Sequence, residues 1–353
     1  MLTIATIIGA RPQFIKASSL SREITKHSDI KEIIIHTGQH FDDNMSAIFF
    51  EQMHIPQPDY NLDIHSLSHG AMTGRMLEGI ETIILKEKPN WVVVYGDTNS
   101  TLAGALAASK LHIKLAHVEA GLRSFDRNMP EEINRIVTDR ISDLLFCPTD
   151  TAVKNLLAEN ADSSKIVKTG DIMYDSELYF KLFAQKPMFK IHTPFILSTL
   201  HRAENTDDPL RLKSIMNALN KISEKINIVL PLHPRTEEKI NQYRLKFSKN
   251  VQCIHPVGYL EMLWLLNNCT MVMTDSGGLQ KEAYFFEKPC ITLRDETEWT
   301  ELVENKINIV TGYTTESIYN AFLFFSKEKL SFPKELYGKG NAAYQILQSI
   351  CNA

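Results

Sequence analysis

The fold is decided by the first stretch of the chain, which reads Leu2-Thr3-Ile4-Ala5-Thr6-Ile7-Ile8-Gly9-Ala10. Its first seven residues are nearly all apolar or β-branched, which is typical of a parallel strand that is covered on both faces. Gly9 then provides a tight turn after the strand. The stretch therefore predicts the opening strand of a β/α series.

Similar runs recur in the first half, with amphipathic helical patterns between them, at residues 32–36, 91–95, 114–118 and 144–147. A second series follows at residues 195–200, 226–230, 251–254, 271–274 and 289–293. Sequential β–α–β order implies parallel strands with right-handed crossovers. The sequence thus predicts an α/β protein with two Rossmann-like, doubly wound parallel-sheet domains that face a central cleft.

Chain length supports two domains, because 353 residues exceed the size at which a single core usually stops growing. The β/α rhythm pauses at residues 170–175, and residues 186–194 are polar and contain proline, as linkers often are. We predict an N-terminal domain over residues 1–172, a C-terminal domain over 173–337 and a terminal helix within 338–353.

Composition excludes several classes of protein. Hydrophobic residues make up 44% and charged residues 23%, which is ordinary for a folded chain. The net charge of −4 is spread along the chain, so no nucleic-acid partner is expected. Neither a spanning apolar stretch nor a signal peptide is visible, so we expect a cytoplasmic protein without membrane contact. The five cysteines form no C-x-x-C pair, and no metal site is predicted.

A glycine-rich turn in the second half is the strongest candidate for an anion site. It reads Asp275-Ser276-Gly277-Gly278 and follows a predicted strand. Its glycines let the backbone approach a ligand, and a helix pattern begins at once. Glu282, one turn further, could hold a ribose diol or be an ordinary first-turn acid. Neither a phosphate-loop motif nor a dinucleotide fingerprint occurs, so no cofactor is predicted.

Two basic pairs follow the first two strands of the second half: His201-Arg202 and His233-Pro234-Arg235. The carboxyl ends of parallel strands share one edge of a sheet, so both pairs are expected to face the cleft. A lone histidine is more often structural than catalytic. Two histidines, each near an arginine at equivalent strand ends, favour a diphosphate site.

The first half supplies carboxylates at its strand ends. Asp97 and Glu119 end adjacent strand patterns, and Glu131 follows Pro130. Asp97 could instead be a helix cap and Glu131 a first-turn acid. Arg11 and Lys16, after the first strand, could reach an anion or be solvated charges. Together the acids and the basic second half suggest acid/base chemistry on a phosphate-bearing ligand.

These motifs resemble those of the non-hydrolysing UDP-N-acetylglucosamine 2-epimerase family over essentially the whole chain. The resemblance rests on Gly9-Ala10-Arg11-Pro12, Gly96-Asp97-Thr98, Glu119-Ala120-Gly121-Leu122-Arg123, Pro130-Glu131-Glu132, His201-Arg202 and Asp275-Ser276-Gly277-Gly278. It implies a GT-B-like fold, UDP bound mainly by the second domain, the sugar held between the domains, a final helix packed on the first domain, and a homodimer.

The resemblance also implies roles for residues. Catalytic positions are Asp97, Glu119, Glu131 and His201, and nucleotide-binding positions are Arg11, His233, Ser276, Gly277, Gly278 and Glu282. Lys16, Arg202 and Arg235 are added here as candidate binding residues from their places in the sequence. The implied reaction is anti elimination of UDP to a 2-acetamidoglycal, followed by return of UDP and protonation from the opposite face.

Within the family, the likeness is greatest to the UDP-2,3-diacetamido-2,3-dideoxy-D-glucuronate 2-epimerase branch, which serves O-antigen and capsule synthesis. Ala203, Arg235 and Glu298-Trp299 depart from the N-acetylglucosamine type. We hypothesise that Arg235 or Lys281 contacts the 6-carboxylate of a uronate. Phe41-Asp42-Asp43 departs from the pattern that binds a second, activating substrate, so no such site is assumed.

Four alternatives remain open from the sequence alone. The substrate could be UDP-N-acetylglucosamine, giving UDP-N-acetylmannosamine. The chain could also be a GT-B glycosyltransferase, a hydrolysing epimerase or a non-catalytic UDP-sugar sensor. The carboxylates of the first half argue against a transferase or a sensor, because neither requires all three of them.

Overall fold

The computed structural model describes residues 1–39 and 56–353, which form two compact α/β units. Unit 1 comprises Met1–Leu178 and Glu335–Ala353, and unit 2 comprises Tyr179–Lys334. Each unit contains one parallel sheet, which confirms the predicted fold class of two doubly wound parallel sheets. The predicted domain limits at residues 172 and 337, and the cleft expected between the domains, stay predictions.

Unit 1 has a sheet in the order β3-β2-β1-β4-β5-β6-β7. Its strands are β1 (Leu2–Ile8), β2 (Ile30–His36), β3 (Tyr60–Asn61), β4 (Trp91–Tyr95), β5 (Lys114–Val118), β6 (Leu144–Cys147) and β7 (Ile166–Lys168). The strand order reverses between β1 and β4. Ligands of open α/β sheets bind at such a switch point, outside the carboxyl ends of the strands.

Helices of unit 1 cover both faces of this sheet. They are α1 (Arg11–Ile24), α2 (His69–Glu87), α3 (Asn99–Lys110), α4 (Pro130–Ile141), α5 (Asp150–Ala158) and α6 (Ile172–Phe180), the last of which contains the boundary with unit 2. One core joins Val92 and Val94 of β4 to Met76 and Ile80 of α2. The alanine-rich α3 packs between α2 and the strands, which brings its N-terminus to the switch point.

Unit 2 repeats the same topology, with a sheet in the order β10-β9-β8-β11-β12-β13. Its strands are β8 (Phe195–Thr199), β9 (Asn227–Pro231), β10 (Val251–Ile254), β11 (Met271–Thr274), β12 (Cys290–Thr292) and β13 (Asn308–Val310). Its switch point therefore lies between β8 and β11. The helices are α7 (Ala203–Thr206), α8 (Pro209–Ser223), α9 (Pro234–Gln242), α10 (Tyr259–Asn268), α11 (Gly277–Phe285), α12 (Thr300–Glu304) and α13 (Thr315–Phe325).

The terminal helix α14 (Ala342–Asn352) packs on α1 within unit 1. Asp175 on α6 anchors its start, because the two carboxylate oxygens accept the N–H groups of Ala342 and Ala343 at 3.1 and 2.8 Å. A carboxylate is favoured at this end of a helix. Within residues 1–39 and 56–353, no helix has the length and apolar composition that crossing a membrane requires.

Glu32 on β2 makes folding of unit 1 sensitive to pH. Its carboxylate accepts a hydrogen bond from Thr6 Oγ1 at 2.5 Å, and burial raises the pKa of Glu32 to about 7. The pKa of Glu32 is higher in the folded state than in the unfolded chain. Protonated Glu32 therefore contributes its full stabilisation of the fold below about pH 4.5, and this contribution is lost as pH rises through 7. Glu32→Gln is always neutral, so we expect its Tm to exceed the parent's at pH 8 and to approach it at pH 5.

Melting curves at pH 5, 6, 7 and 8 test this expectation. Glu87→Gln is the control of opposite sign, because the hydroxyl of Tyr60 and the ammonium of Lys31 lower the pKa of Glu87. That substitution should lower the Tm at pH 8. A Glu32→Gln difference of the same size at every pH would show that ionisation of Glu32 does not affect stability.

Candidate active site

Gln13 on α1 joins the two loops that flank the switch point of unit 1. It is 1% exposed, and its Oε1 accepts the N–H groups of Gly9 at 2.8 Å and Ala10 at 3.0 Å. Its Nε2 donates to three oxygens: Tyr95 O at 2.9 Å and the hydroxyls of Thr98 and Thr101 at 3.0 Å. The loop after β1 is thereby fixed to the loop after β4.

Asp97 follows β4 and is 30% exposed. Its Oδ2 lies 2.5 Å from Arg135 Nη2 on α4. Burial raises the pKa of Asp97, and the negative charges of Glu119 and Glu131 raise it further, whereas Arg135 and Lys16 oppose the rise. The carboxylate of Asp97 therefore binds a proton more tightly than a solvated aspartate does.

Glu119 follows β5 with a backbone φ of 74°, which is uncommon for a residue other than glycine. Its carboxylate forms an ion pair with Lys16, and both side chains are largely buried. Gly96 has a φ of 63°, and a Cβ there would lie 3.2 Å from Lys16 Nζ and 3.3 Å from Glu119 Oε2. Glycine at this position therefore leaves room for the ion pair beside Asp97.

Glu131 and Glu132 differ sharply although they are adjacent on the first turn of α4. Glu131 is exposed, whereas Glu132 is buried and accepts the N–H groups of Ser124 and Phe125 at 2.9 and 3.0 Å. Arg135 Nη1 donates to the same carboxylate at 2.9 Å. Burial would raise the pKa of Glu132, but these donors lower it below its ordinary value. Glu132 is thus structural, and Glu131 is the accessible acid.

The structure therefore brings Lys16, Asp97 and Glu119 together in unit 1, with Glu131 close enough to affect the pKa of Asp97. Arg135, for which no role is predicted from the sequence, also belongs to this group; the sequence signal for it is its position one helical turn after Glu131 and Glu132. The side chain of Arg11 and the Phe41-Asp42-Asp43 segment lie outside the described residues.

Asp275 organises the switch point of unit 2. It is fully buried at the end of β11, and its carboxylate accepts the N–H groups of His201 at 3.0 Å and Arg202 at 2.9 Å. Asn205 Nδ2 donates to it at 3.3 Å, and His201 Nδ1 lies 3.4 Å away. Asp275 therefore anchors the backbone of the turn after β8, while the ring of His201 is exposed.

His233 lies beside His201, with 6.1 Å between the ring centroids. Its Nδ1 accepts the N–H of Arg235 at 3.2 Å. Burial and the neighbouring His201 and Arg235 charges lower the pKa of His233, which favours the neutral ring. Arg235 Nη2 lies 2.5 Å from Asp207 Oδ2, and both side chains are nearly half exposed. Both predicted basic pairs thus lie at the same edge of the sheet.

The start of α11 carries the predicted glycine-rich turn. Within the described residues, the side chain of Ser276 forms no hydrogen bond that caps the helix, and Gly278 is exposed. A Cβ at Gly277 would lie 2.4 Å from Glu298 Oε1, so a larger residue there would displace that carboxylate. The first N–H groups of such a helix attract anions. Further along α11, Lys281 is buried with Nζ 4.2 Å from the ring centre of Trp299, and Glu282 is half-buried.

Replacing the Gln13 amide tests how strongly it joins the two loops of unit 1. Glutamate has the same shape but cannot donate to Tyr95 O, so Gln13→Glu should lower the free energy of unfolding by about 2 kcal/mol. Urea titration followed by tryptophan fluorescence measures this change. Gln252→Glu, which removes one donated bond to Lys190 O at an exposed site, should cost under about 0.5 kcal/mol. Equal losses in the free energy of unfolding for the two variants would show that Gln13 does not join the loops more strongly than an exposed hydrogen bond would.

Comparison with known proteins agrees with this geometry. A family model for UDP-N-acetylglucosamine 2-epimerase matches residues 22–351. The UDP-2,3-diacetamido-2,3-dideoxy-D-glucuronate 2-epimerase of Pseudomonas aeruginosa is 57% identical over 351 residues, covering 98% of this chain and 99% of that protein. A UDP-N-acetylglucosamine 2-epimerase homologue of Methanococcus maripaludis is 51% identical, covering 99% of this chain and all of that protein.

Among solved structures, the UDP-GlcNAc 2-epimerase of Methanocaldococcus jannaschii, in complex with UDP-GlcNAc and UDP, matches with a TM-score of 0.91. The two chains are 44% identical, and the match covers 100% of each. The predicted GT-B-like fold and the predicted isomerase class are confirmed by these similarities. The chain belongs to the UDP-N-acetylglucosamine 2-epimerase family and is a UDP-sugar 2-epimerase.

Proposed function

We propose that this protein inverts C2 of UDP-2,3-diacetamido-2,3-dideoxy-D-glucuronate, from the gluco to the manno form, without hydrolysis. The observation that carries the proposal is the group of three carboxylates at the switch point of unit 1, two of them paired with Lys16 and Arg135. The 57% identity to the Pseudomonas aeruginosa protein supports this sugar. UDP-N-acetylglucosamine is the second candidate, supported by 44% identity to the Methanocaldococcus jannaschii protein.

The chemistry explains why several carboxylates are needed. The C2 hydrogen of a nucleotide sugar is not next to a carbonyl group, so direct removal of the proton has no enolate to hold the charge. When UDP leaves C1 with the electrons of the C1–O bond, C2 can lose its proton and a C1=C2 double bond forms. UDP then returns to C1, and a proton is delivered to the opposite face of C2. Two faces require at least two acid/base groups.

We assign this proton transfer to Asp97, Glu119 and Glu131. The raised pKa of Asp97 makes its carboxylate a better proton acceptor than that of a solvated aspartate. Lys16 and Arg135 balance the negative charge of the group, which would otherwise repel an anionic substrate. The residues of unit 1 therefore supply the acid/base groups of the reaction.

We assign UDP binding mainly to unit 2. The exposed rings of His201 and His233, the guanidinium of Arg202 and the start of α11 at Ser276-Gly277-Gly278 would stabilise the charge that develops on the departing diphosphate. Glu282 would accept the ribose hydroxyls, and Arg11 would add a cation from unit 1. The backbone of the turn that carries His201 and Arg202 is held by Asp275 before the reaction, which lowers the reorganisation that catalysis requires.

The proposal includes the assembly and the cellular role that the family resemblance implies. The protein acts as a homodimer in the cytoplasm and supplies a UDP-manno sugar for O-antigen or capsule synthesis. The molar mass in solution, measured by light scattering during size-exclusion chromatography, checks the dimer against the 40.2 kDa of one chain.

The proposed reaction leaves a direct trace in deuterated water. With UDP-2,3-diacetamido-2,3-dideoxy-D-glucuronate, proton NMR should show deuterium entering C2 and new anomeric signals from an intact UDP-manno sugar. Parallel incubation with UDP-N-acetylglucosamine should give slower exchange. The solvent isotope enters because the proton returned to C2 comes from a group that equilibrates with water.

Asp97→Asn is the matched control, since it keeps the shape of the side chain and removes its acid/base function. Its exchange rate should fall by about 10²–10⁴, the usual contribution of general acid/base catalysis. Faster turnover of UDP-N-acetylglucosamine would assign that sugar instead. Absence of exchange with both sugars would disprove the proposed reaction.

Arg235 is the candidate contact for the 6-carboxylate of the uronate, because its half-exposed guanidinium shares the sheet edge with His201 and His233. Arg235→Ala should lower kcat/KM for the uronate by about 10-fold, the worth of one charge-assisted contact. The neutral sugar should be little affected. Lys239→Ala is the control, since Lys239 Nζ lies 3.5 Å from the same Asp207. Equal losses with both sugars would exclude Arg235 from this role and leave Lys281.

A further inference from the structure

A buried chain of charged side chains lies directly behind the acid-bearing loops of unit 1. His117 on β5 is fully buried, and its Nδ1 lies 2.6 Å from Oδ1 of the buried Asp139 on α4. Asp139 Oδ2 lies 2.8 Å from Arg123 Nη1, and Arg123 in turn pairs with Glu159 at the surface at 2.7 Å. None of these side chains has a role predicted from the sequence.

This chain holds both loops that carry catalytic acids. His117 Nε2 lies 2.7 Å from the carbonyl oxygen of Gly96, the residue before Asp97. Asp139 Oδ2 accepts the N–H of Gly121 at 3.1 Å, two residues after Glu119. The hydrogen-bonded pair of His117 and Asp139 therefore contacts both loops: the His117 ring contacts the loop after β4, and the Asp139 carboxylate contacts the loop after β5.

The loop after β5 needs such support because Glu119 has a positive φ. A residue other than glycine in that conformation is strained and persists only where its surroundings fix it. The N–H groups of Glu119 and Ala120 both donate to Phe146 O, at 3.1 and 3.0 Å, which holds one side of the turn. The Asp139 contact with Gly121 holds the other side.

The partners of His117 also constrain its protonation. A carbonyl oxygen can only accept, so Nε2 must carry a hydrogen. Burial would raise the pKa of Asp139, but His117 and Arg123 lower it below its ordinary value, so Asp139 is ionised and likewise only accepts. The two ring nitrogens of His117 therefore both face acceptors, Asp139 Oδ1 and the carbonyl oxygen of Gly96.

We infer that His117 and Asp139 are positioning residues, which fix Asp97 and Glu119 relative to each other without touching the substrate. The inference rests on the proposed function, since it assumes that these two acids transfer protons. Misplacement of a reacting group by about 1 Å can cost about 100-fold in rate. Loss of this pair should therefore impair proton transfer and leave nucleotide binding by unit 2 intact.

Asp139→Asn tests the inference, because it keeps the size of the side chain and removes the charge that holds His117 and Gly121. In the full-length protein, kcat for C2 epimerisation and deuterium uptake should fall by about 100-fold. The Kd for UDP, measured by calorimetry, should stay within about two-fold of the parent's. An unchanged kcat, or equal losses in kcat and UDP affinity, would overturn the inference.

Asp143→Asn is the matched control for a purely structural effect. Asp143 follows the same helix, and its Oδ2 accepts the N–H of Leu115 at 2.9 Å, at the opposite end of β5. Its loss should lower kcat by less than about three-fold once the folded fraction is taken into account. A loss matching that of Asp139→Asn would show that any weakening of β5 suffices.

The charge of His117 can be measured without an activity assay. In the parent protein labelled with ¹⁵N-histidine, both ring nitrogens of His117 should give protonated signals at pH 7.5, assigned by their disappearance in His117→Gln. A ring with one unprotonated nitrogen would overturn the arrangement even if Asp139→Asn does not fold. If the parent protein fails to epimerise either sugar, the proposed function fails, while this measurement still decides the state of His117.

Discussion

The architecture of unit 1 depends on one side-chain amide, that of Gln13. At the switch point the loops after β1 and β4 diverge to opposite faces of the sheet, so their backbones cannot pair with each other. Without Gln13, the N–H groups of Gly9 and Ala10 would be buried without hydrogen-bond partners, at a cost comparable to lost hydrogen bonds, and the carbonyl of Tyr95 would keep only the hydroxyl of Thr101. An amide carries both an acceptor and donors, so Gln13 satisfies both loops while the crevice between them stays open.

Unit 2 meets the same topological problem with a carboxylate. Asp275 ends β11 and accepts N–H groups from the turn after β8, including those of His201 and Arg202. A carboxylate offers only acceptors, and here they point inward, where they neutralise backbone donors. The outward groups are then the imidazole rings and the helix start, which attract an anion. The two switch points have one topology and opposite chemistry: carboxylates are presented in unit 1 and cations and N–H groups in unit 2.

Sequence patterns gave the strands that form the sheet centres, including β1, β4 and β5, because buried parallel strands are continuous apolar runs. The strands β3, β7 and β13 were not predicted. They are two or three residues long and lie at the edges of the sheets. Asp97, Glu119, His201 and His233 could be found because they follow strands. Gln13 and Asp139 could not, since their importance depends on which distant loops meet: Gln13 bonds to Tyr95, 82 residues away.

The adjacent residues Glu131 and Glu132 are the same amino acid in two roles: Glu132 stabilises the fold, and Glu131 is accessible for proton transfer. Glu132 accepts bonds from two backbone N–H groups and from Arg135, which lower its pKa and keep it ionised. A carboxylate with so many donors binds a proton too weakly to transfer one near neutral pH. The second terminal nitrogen of Arg135 donates to Asp97, whose pKa nevertheless stays raised because burial outweighs the positive charges of Arg135 and Lys16. The number of hydrogen-bond donors to each carboxylate therefore separates the acids that hold the loops from those that can carry the proton.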